Sequence, residues 1–426
     1  MNVKSIAKWS IVLFLLAALP VMTAVMAQGQ EPVVKQLPVV TEPGESSAII
    51  AWNRNESEPN NTPATANARG LNDVVRGWID YEGDIDYFYI GNASWVPAYV
   101  MIDIEAWSIG SALDSLVCVH DQYGNVRSCN DDSDTLDSLL VYGGFWFSYI
   151  SVTDLSDDGG NNYEYRLIMS SPLLVSADAK NLRTGNVAGI SFNSADILAH
   201  SDLATGDEKW VMFFDASDVG ITKNVSNVAF HDYPEFDGLL LGFSANQYIS
   251  DLSVTATPYD YVVFDAVKYG PETEGVFTEI FRGREHLLTT SGEKLDALDH
   301  KGICYLGTAL STVGAANVGS YELKHLKDED VFCWQPVDQW YRGAFYGRNV
   351  EGLAAEDVQA VAFGGRNQAY LWYLTILGNG NIAGHNVTQK DIFAIHGTTN
   401  VWGGVAWHGP DHGWNYNIDA IEWDGW

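Results

Sequence analysis

The region from residue 173 to residue 426 repeats one pattern of apolar runs four times, at intervals of about 60–70 residues. Each unit holds an apolar run, an Asp followed by an apolar residue, two aromatic residues about four positions apart, and a short apolar alternation. The Asp steps are Asp196-Ile197, Asp260-Tyr261, Asp330-Val331 and Asp391-Ile392. The alternations begin at Val225, Leu295, Val358 and Ile418. Alternation of this length predicts short β-strands.

Four short strands repeated four times indicate one small sheet that is repeated around an axis or in a stack. A single four-stranded sheet cannot bury both of its faces, so it needs neighbours on each side. We therefore expect an all-β protein whose C-terminal part is a four-bladed β-propeller-like repeat domain. The units are expected at about 173–238, 239–302, 303–368 and 369–426.

The first 27 residues have the composition of a secretory signal peptide. Lys4 and Lys8 precede an apolar centre from Ile11 to Ala18, and Val25-Met26-Ala27 is a suitable cleavage site. The apolar stretch is nearly long enough to span a bilayer, so an uncleaved membrane anchor is the alternative. With the signal removed, we expect a secreted or cell-surface protein without a membrane span.

Residues 28–55 are interpreted as a linker, because Pro, Glu and Ser are frequent there and strand patterns are weak. Residues 56–170 follow with alternating runs separated by Gly, Asp and Asn, which predicts a β-sandwich of seven or eight strands. The runs are Val75–Ile79, Tyr87–Ile90, Val100–Ile104, Leu116–His120, Leu139–Tyr142, Tyr149–Val152 and Tyr163–Ile168.

Several short motifs occur in a characteristic order within residues 56–170. They are Glu58-Pro59-Asn60-Asn61-Thr62, Gly77-Trp78-Ile79, Gly83-Asp84-Ile85-Asp86-Tyr87-Phe88, Leu113-Asp114, Asn130-Asp131-Asp132 and Tyr163-Glu164-Tyr165. In these motifs the stretch resembles the bacterial pre-peptidase C-terminal (PPC) domain. The resemblance implies a jelly-roll-like β-sandwich of secreted proteins, often adjacent to peptidases and related to collagen-binding modules that bind calcium. It also implies a set of calcium ligands: Glu56, Glu58, Asn60, Asn61, Asp84 and Asp86.

The chemistry of these residues is consistent with a structural calcium ion. Calcium binds about six to eight oxygen atoms from carboxylates, amides and carbonyls. Two acidic segments that converge would repel each other unless a cation lay between them. The alternative is that Pro59-Asn60-Asn61 forms an ordinary turn and the acidic side chains are solvated.

Charge and cysteine content narrow the possible partners and the compartment. The chain has 55 acidic and 23 basic residues, a net charge of −32, which repels nucleic acid and offers carboxylates to divalent cations. The same acidity could simply keep an extracellular protein soluble. Four cysteines in an exported chain predict the disulfides Cys118–Cys129, across a hairpin, and Cys304–Cys333, with four free thiols as the alternative.

The last unit is rich in tryptophan and histidine. Aromatic residues recur at equivalent places in most units, so we interpret the tryptophans there as core residues rather than a binding surface. The turn His408-Gly409-Pro410-Asp411-His412 offers two imidazoles and a carboxylate to a transition metal. The equivalent turns lack such a set, which favours an exposed turn.

No nucleophile elbow, metalloprotease helix or phosphate-binding loop occurs in the sequence. A catalytic triad assembled from distant residues stays open. We expect a secreted, non-catalytic binding or cell-surface interaction protein, with an extracellular glycan or protein polymer as its partner and no nucleic acid. The alternative is an extracellular hydrolase acting at the propeller mouth with paired carboxylates drawn from Asp218, Glu285 and Asp411.

Overall fold

The structure, a computed structural model, describes residues 53–423, with gaps at 72, 91–98, 132–135, 144–146, 179–183, 203–207, 231–237, 287, 289–293, 302–303, 310–327, 336–339, 365–370 and 398. The signal expected at residues 1–27 and most of the linker lie outside the described residues. Within them the chain forms β-strands and short 3-10 helices but no α-helix, which confirms the all-β class. None of the described helices has the length and hydrophobicity needed to cross a bilayer.

The first ten strands form two five-stranded sheets. They are β1 (Asn53–Asn55), β2 (Asn67–Arg69), β3 (Val74–Trp78), β4 (Asp86–Ile90), β5 (Tyr99–Glu105), β6 (Ser115–Asp121), β7 (Val126–Asn130), β8 (Leu139–Gly143), β9 (Phe147–Asp154) and β10 (Glu164–Ser170). One sheet has the order β1-β3-β10-β5-β8 and the other β2-β4-β9-β6-β7. Apolar residues from both sheets share one core, which includes Val75, Phe88, Ile102, Val117 and Leu167.

All seven strands expected in this part are present, and three further strands were missed. The missed strands β1, β2 and β7 are short or polar, so they lack the apolar alternation that marks a half-buried strand. They are held instead by backbone pairing, since β1 runs parallel to β3 and β2 runs parallel to β4. Cys118 and Cys129 lie opposite each other on β6 and β7 with Cα atoms 4.1 Å apart, and the expected disulfide is present.

The remaining strands belong to the repeat region. They are β11 (Leu173–Ala177), β12 (Gly185–Val187), β13 (Ile190–Phe192), β14 (Ile197–Asp202), β15 (Glu208–Phe214), β16 (Val225–Phe230), β17 (Leu239–Phe243), β18 (Gln247–Ile249), β19 (Val254–Ala256), β20 (Asp260–Lys268), β21 (Glu274–Arg282), β22 (Leu295–Lys301), β23 (Cys304–Ala309), β24 (Asp330–Gln335), β25 (Trp340–Tyr346), β26 (Val358–Gly364), β27 (Leu371–Ile376), β28 (Asn379–Ile382), β29 (His385–Thr388), β30 (Asp391–His396), β31 (Val401–His408) and β32 (Ile418–Glu422). Short 3-10 helices lie at Pro63–Thr65, Trp107–Ile109, Gly283–His286, Gly347–Asn349, Leu353–Ala355 and Gly409–His412.

The repeat region contains four antiparallel four-stranded sheets. Their strand orders are β32-β11-β14-β15, β16-β17-β20-β21, β22-β23-β24-β25 and β26-β27-β30-β31. The last strand of each repeat in the sequence is the first strand of the following sheet, so sheets and sequence units are offset by one strand. In the first sheet, β11 pairs with β32, which joins the two ends of the region. The first strand of each sheet also contacts the first strands of the other three. The more extensive contacts join β16 with β22, β22 with β26, β26 with β32, and β32 with β16, and smaller ones join β16 with β26 and β22 with β32.

The recurring Asp begins the third strand of each sheet or directly precedes it, and it holds a turn closed. In three of the sheets the carboxylate accepts a hydrogen bond from the backbone N–H three residues earlier. The donors are Asn193 to Asp196 (2.7 Å), Thr257 to Asp260 (2.8 Å) and Thr388 to Asp391 (2.7 Å). In two sheets its other oxygen accepts from the chain just beyond the outer strand, from Ala216 at 3.1 Å and from Gly283 at 3.0 Å.

The residue after each Asp faces the recurring aromatic residue across the sheet. The paired residues are Ile197 with Phe214, Tyr261 with Phe281, Val331 with Phe345, and Ile392 with Trp407. Trp372, Trp407, Trp414 and Trp423 are all buried, which agrees with their interpretation as core residues, whereas Trp402 is half-buried against the core. Trp426 lies outside the described residues.

Small two-stranded hairpins connect the second and third strands in three sheets, and the sequence patterns did not reveal them. They are formed by β12 with β13, β18 with β19, and β28 with β29. Each has only three or four residues per strand, which is too short for a periodic signal. In the third sheet, Cys333 on β24 pairs with Leu306 on β23. The side chains of Cys304 and Cys333 are not among those described, so this disulfide stays a prediction.

The sandwich packs directly on the first two repeat sheets. Tyr99 on β5 stacks on Phe230 on β16 with ring centroids 4.9 Å apart, and Tyr99 also shares a core with Phe213 of the first sheet. Phe213 in turn stacks on Tyr269, which follows β20, at 4.4 Å. Gly143 lies against the same rings, and a Cβ there would come within 2.7 Å of Phe230. The junction is therefore part of a continuous apolar core rather than a loose contact.

We predict that Asp260→Ala destabilises the protein by about 3 kcal/mol, because backbone donors at Thr257 and Gly283 lose a charged acceptor in a buried setting. Chemical denaturation monitored by tryptophan fluorescence measures the change. The matched control is Glu274→Ala, an exposed carboxylate on the neighbouring strand, for which we expect a change within about 0.5 kcal/mol. Equal effects of the two substitutions would show that the Asp contacts contribute no stability.

Candidate metal site

The candidate site lies where the segment after β1 crosses the start of β4. The backbone N–H of Glu56 donates to Arg76 O on β3 at 2.9 Å, and Tyr87 N donates to Asn60 O at 3.0 Å. These bonds fix residues 56–60 between the two sheets. Asp86 is the first residue of β4, and the preceding turn is closed by Asp84 N, which donates to Tyr81 O at 3.1 Å. The two acidic segments singled out in the sequence therefore converge.

The centre of the site combines Glu56, Asn60 and Asp86. Asn60 and Asp86 are fully buried, and Glu56 is half-buried. The Nδ2 of Asn60 donates to a carboxylate oxygen of Glu56 at 3.4 Å. The Oδ1 atoms of Asn60 and Asp86 are buried and have no hydrogen-bond partner among the described residues. Two buried oxygen acceptors thus lack a donor in a place that is also rich in negative charge, which is an energetically costly arrangement.

A second group of oxygens adjoins the first and shares Glu58 with it. Ligand atoms of Glu56, Glu58 and Asp86 lie within 4.8 Å of one another, and so do those of Glu58, Asp80 and Asp84. Asp84 is buried, but it is well supplied with donors: Asp80 N at 2.7 Å, Ile85 N at 3.1 Å and Asn61 Nδ2 at 2.5 Å. Asp84 is therefore satisfied by the protein itself, whereas Asp86 is only partly satisfied.

Tyr165 on β10 completes the wall of the site. Its hydroxyl donates to Asp86 Oδ2 at 2.5 Å and lies 3.3 Å from Glu56 Oε2. The ring of Tyr165 passes directly over Gly77, where a Cβ would come within 2.3 Å of the ring. Glycine at position 77 is thus required for Tyr165 to reach the carboxylates.

Burial perturbs both central carboxylates. Removal from water, together with the hydrogen bond and the negative charge of Glu56, raises the pKa of Asp86 far above the ordinary carboxyl range. Burial also raises the pKa of Glu56, although hydrogen bonds from Asp86, Trp78 and Asn60 oppose the shift. The metal-free site therefore holds a proton that an exposed pair of carboxylates would lose.

All six expected ligand residues lie in this region, but their environments differ. The centre is formed by Glu56, Asn60 and Asp86, and Glu58 belongs to both groups of oxygens. Beside this centre, Asn61 donates a hydrogen bond to Asp84. The sequence reasoning missed Asp80 and Tyr165. Asp80 directly follows the Gly77-Trp78-Ile79 motif, and Tyr165 lies within the closing motif. Their positions in or beside these motifs are the sequence features that could have indicated them.

The other candidates from the sequence lie elsewhere. Asp218 accepts a hydrogen bond from Thr273 N at 2.8 Å, while Glu285 and Asp411 lie in 3-10 turns that follow the outer strands of two other sheets. His408 Nδ1 bonds to Asp391, one of the recurring Asp residues. His408 and His412 are therefore divided between different neighbours, and the turn does not act as one ligand set.

Comparison with known proteins gives a structural likeness for part of the chain. No family model matches the sequence, and no curated protein matches it. Among solved structures, the pre-peptidase C-terminal domain of a collagenase from Bacillus anthracis is similar, with 16% sequence identity and a TM-score of 0.21. The match covers 26% of this chain and all of that domain.

In the absence of metal, we predict that Asp86→Asn stabilises the protein at pH 7 by about 1–3 kcal/mol, because it removes a buried ionisable group. The folded state keeps a proton that the unfolded chain loses above about pH 4, so wild-type stability should fall as the pH rises above that value. The variant should show a weaker decline. Thermal melts in chelator across pH 4 to 8 measure this, with exposed Asp158→Asn as the control. Parallel pH profiles for wild type and Asp86→Asn would contradict the prediction.

Proposed function

We propose that the protein is a secreted, non-catalytic binding protein, in which a calcium-stabilised PPC-type sandwich accompanies a four-bladed propeller that presents the ligand-binding loops. The observation that carries the calcium part is the pair of buried, unpartnered oxygens at Asn60 and Asp86 beside Glu56. The binding part rests on the four repeated sheets, whose strands recur while their connecting turns differ.

Calcium suits the site because its ligands are all oxygen atoms. Glu56, Glu58, Asn60 and Asp86 offer carboxylate and amide oxygens, and calcium accepts irregular sets of such ligands more readily than magnesium does. A divalent cation would neutralise carboxylates that burial otherwise keeps protonated. It would also give Oδ1 of Asn60 and Oδ1 of Asp86 the partner that they lack in the protein.

The PPC assignment rests on the motifs in the sequence and on where they occur in the fold. The motif at 58–62 crosses the motif at 83–88. Tyr165 from the closing motif contacts Asp86 in the second of these, and Glu56 just before the first. Motifs that are far apart in the sequence therefore meet at one site. This is the arrangement expected if they were selected together for ion binding.

Propeller closure is supported by the strands at both ends of the repeat region. Pairing of β11 with β32 completes a sheet from the two ends, which is an efficient way to seal a ring of blades. The more extensive contacts among β16, β22, β26 and β32 follow one another in a cycle. Ser226, Gln359 and Asp419, each the second residue of such a strand, are buried polar residues, as a narrow polar axis would require.

Export to an oxidising compartment is supported by the composition of residues 1–27 and by the Cys118–Cys129 disulfide, a bond that is rare in cytosolic proteins. The acidic surface makes nucleic acid an unsuitable partner. An extracellular glycan or a protein polymer remains the partner class that suits a secreted repeat scaffold.

We predict that calcium raises the melting temperature of the full chain relative to chelator, by several degrees. Binding to the folded state alone stabilises by about 2.7 kcal/mol when calcium is a hundredfold above Kd. Calcium should also protect the segment from Glu56 to Asn61 from proteolysis, because an ion would tie it to β4. Differential scanning calorimetry and limited proteolysis with mass spectrometry measure the two effects.

The double variant Glu58→Gln with Asp86→Asn should lose both calcium effects and keep the fold, because Gln and Asn preserve the size of the side chains. Asp158→Asn serves as the matched control and should respond as the wild type does. If the wild-type chain melts identically in calcium and in chelator, the acidic cluster is not a calcium site.

The binding function is tested by an array of extracellular glycans and matrix proteins, probed with the purified chain from Gln28 onward. We expect saturable binding to one class of polymer and no change in polymer length after prolonged incubation. Shortening of the polymer, lost on substitution of Asp218, Glu285 or Asp411 by the corresponding amide, would instead establish a hydrolase. Binding to no array member would contradict the proposal.

A further inference from the structure

A group of nitrogen and oxygen donors lies where the first and fourth repeat sheets meet. It consists of His200 on β14, Glu208 at the start of β15, and His412 in the 3-10 turn after β31. One donor atom from each lies within 4.8 Å of the other two. Glu208 and His412 are 204 residues apart, so the chain has folded back to bring them together.

The two elements that supply these residues are firmly held. Asp202 and Glu208 pair across the β14–β15 hairpin, and His200 pairs with Trp210, so one hairpin positions both His200 and Glu208. The turn that carries His412 is fixed by Trp210 Nε1, which donates to His412 O at 2.9 Å. The His412 ring also stacks on Trp407, with centroids 5.3 Å apart and planes inclined by 4°.

His200 is the member that points to a ligand. Its side chain is 1% exposed, and its Nε2 has no hydrogen-bond partner among the described residues. That atom faces the partly exposed Glu208 with an Nε2–Oε2 distance of 4.0 Å. A neutral imidazole has one unprotonated ring nitrogen, which is a competent metal donor.

The remaining donors are already close to the geometry of a shared metal ion. Glu208 Oε1 lies 2.7 Å from His412 Nδ1. Two ligands of a tetrahedral zinc ion lie about 3.4 Å apart, given metal–ligand distances near 2.1 Å. The distances from Glu208 to His200 Nε2 (4.0 Å) and to His412 Nδ1 (2.7 Å) each differ from this value by less than an ångström. The Glu208 side chain can adjust its position because it is exposed.

We propose that His200, Glu208 and His412 form a binding site for a divalent transition-metal ion of the zinc class, which joins the first repeat sheet to the fourth. Two imidazoles and one carboxylate suit zinc and its neighbours, whereas calcium requires oxygen ligands. The three ligands leave a coordination position that water can fill. Trp210 and Trp407, which pack on His200 and His412, exclude solvent from one side of the site.

The test is a zinc titration of the metal-stripped full chain, produced without a polyhistidine tag, by calorimetry and by cobalt substitution. We expect one zinc ion per chain, cobalt absorption bands of a low-coordinate nitrogen and oxygen site, and a rise in melting temperature on zinc addition. Glu208→Gln and His412→Phe should each weaken zinc binding by at least about tenfold. Phenylalanine at position 412 keeps a ring to stack on Trp407, so loss of binding can be separated from loss of the turn.

Two controls define the location of the ion. His385→Gln removes an exposed histidine on the β28–β29 hairpin and should bind zinc as the wild type does. The double variant Glu58→Gln with Asp86→Asn should also keep zinc binding, which separates this proposal from the calcium site. Zinc affinity unchanged in both Glu208→Gln and His412→Phe, or lost only in the Glu58/Asp86 variant, would overturn the proposal. So would the absence of stoichiometric zinc binding by the wild-type chain, in which case Glu208 and His412 are only a hydrogen-bonded pair.

Discussion

The repeat region depends on a buried aspartate at the start of the third strand of each sheet. In the sheets with Asp196 and Asp260, one carboxylate receives backbone N–H groups from the turn before it and from the chain beyond the outer strand. These donors would otherwise be buried without acceptors, at a cost of about 1–3 kcal/mol each. The aspartate thereby fixes the register of the last two strands and sets the recurring aromatic residue opposite its apolar neighbour.

The same chemistry separates the proposed metal site of the sandwich from the structural aspartates of the repeats. A buried carboxylate is stable when enough donors surround it, as at Asp84, Asp196 and Asp260. Asp86 receives the Tyr165 hydroxyl, yet it keeps an oxygen without a donor beside a second carboxylate. A deficit of donors combined with an excess of negative charge is what a cation corrects. The number of donors, more than the number of acidic residues, therefore distinguishes the two uses of aspartate.

The offset between sequence unit and sheet has a mechanical consequence. Because each unit contributes its last strand to the next sheet, neighbouring sheets are linked through the polypeptide as well as through side-chain packing. The first sheet differs, since its first strand, β32, comes from the far end of the repeat region. Within that sheet β32 and β11 are not consecutive in the chain and are joined by strand pairing. The contacts of His200, Trp210, Trp407, His412 and Trp414 add side-chain packing where the first sheet meets the fourth.

The sequence by itself determined the all-β class, the positions of the long strands, the Cys118–Cys129 pairing and the two acidic segments. These features depend on the alternation of apolar and polar residues, on turn residues and on short separations in sequence. All of these are local properties of neighbouring residues. Tertiary structure alone decided which acidic residues share a centre, that Asp80 and Tyr165 belong to it, and that His412 meets His200 and Glu208 rather than His408. It also decided that β32 pairs with β11. Each of these features depends on which strands become neighbours. The pairing of strands is determined by the burial of apolar faces over the whole chain, so no local sequence pattern predicts it.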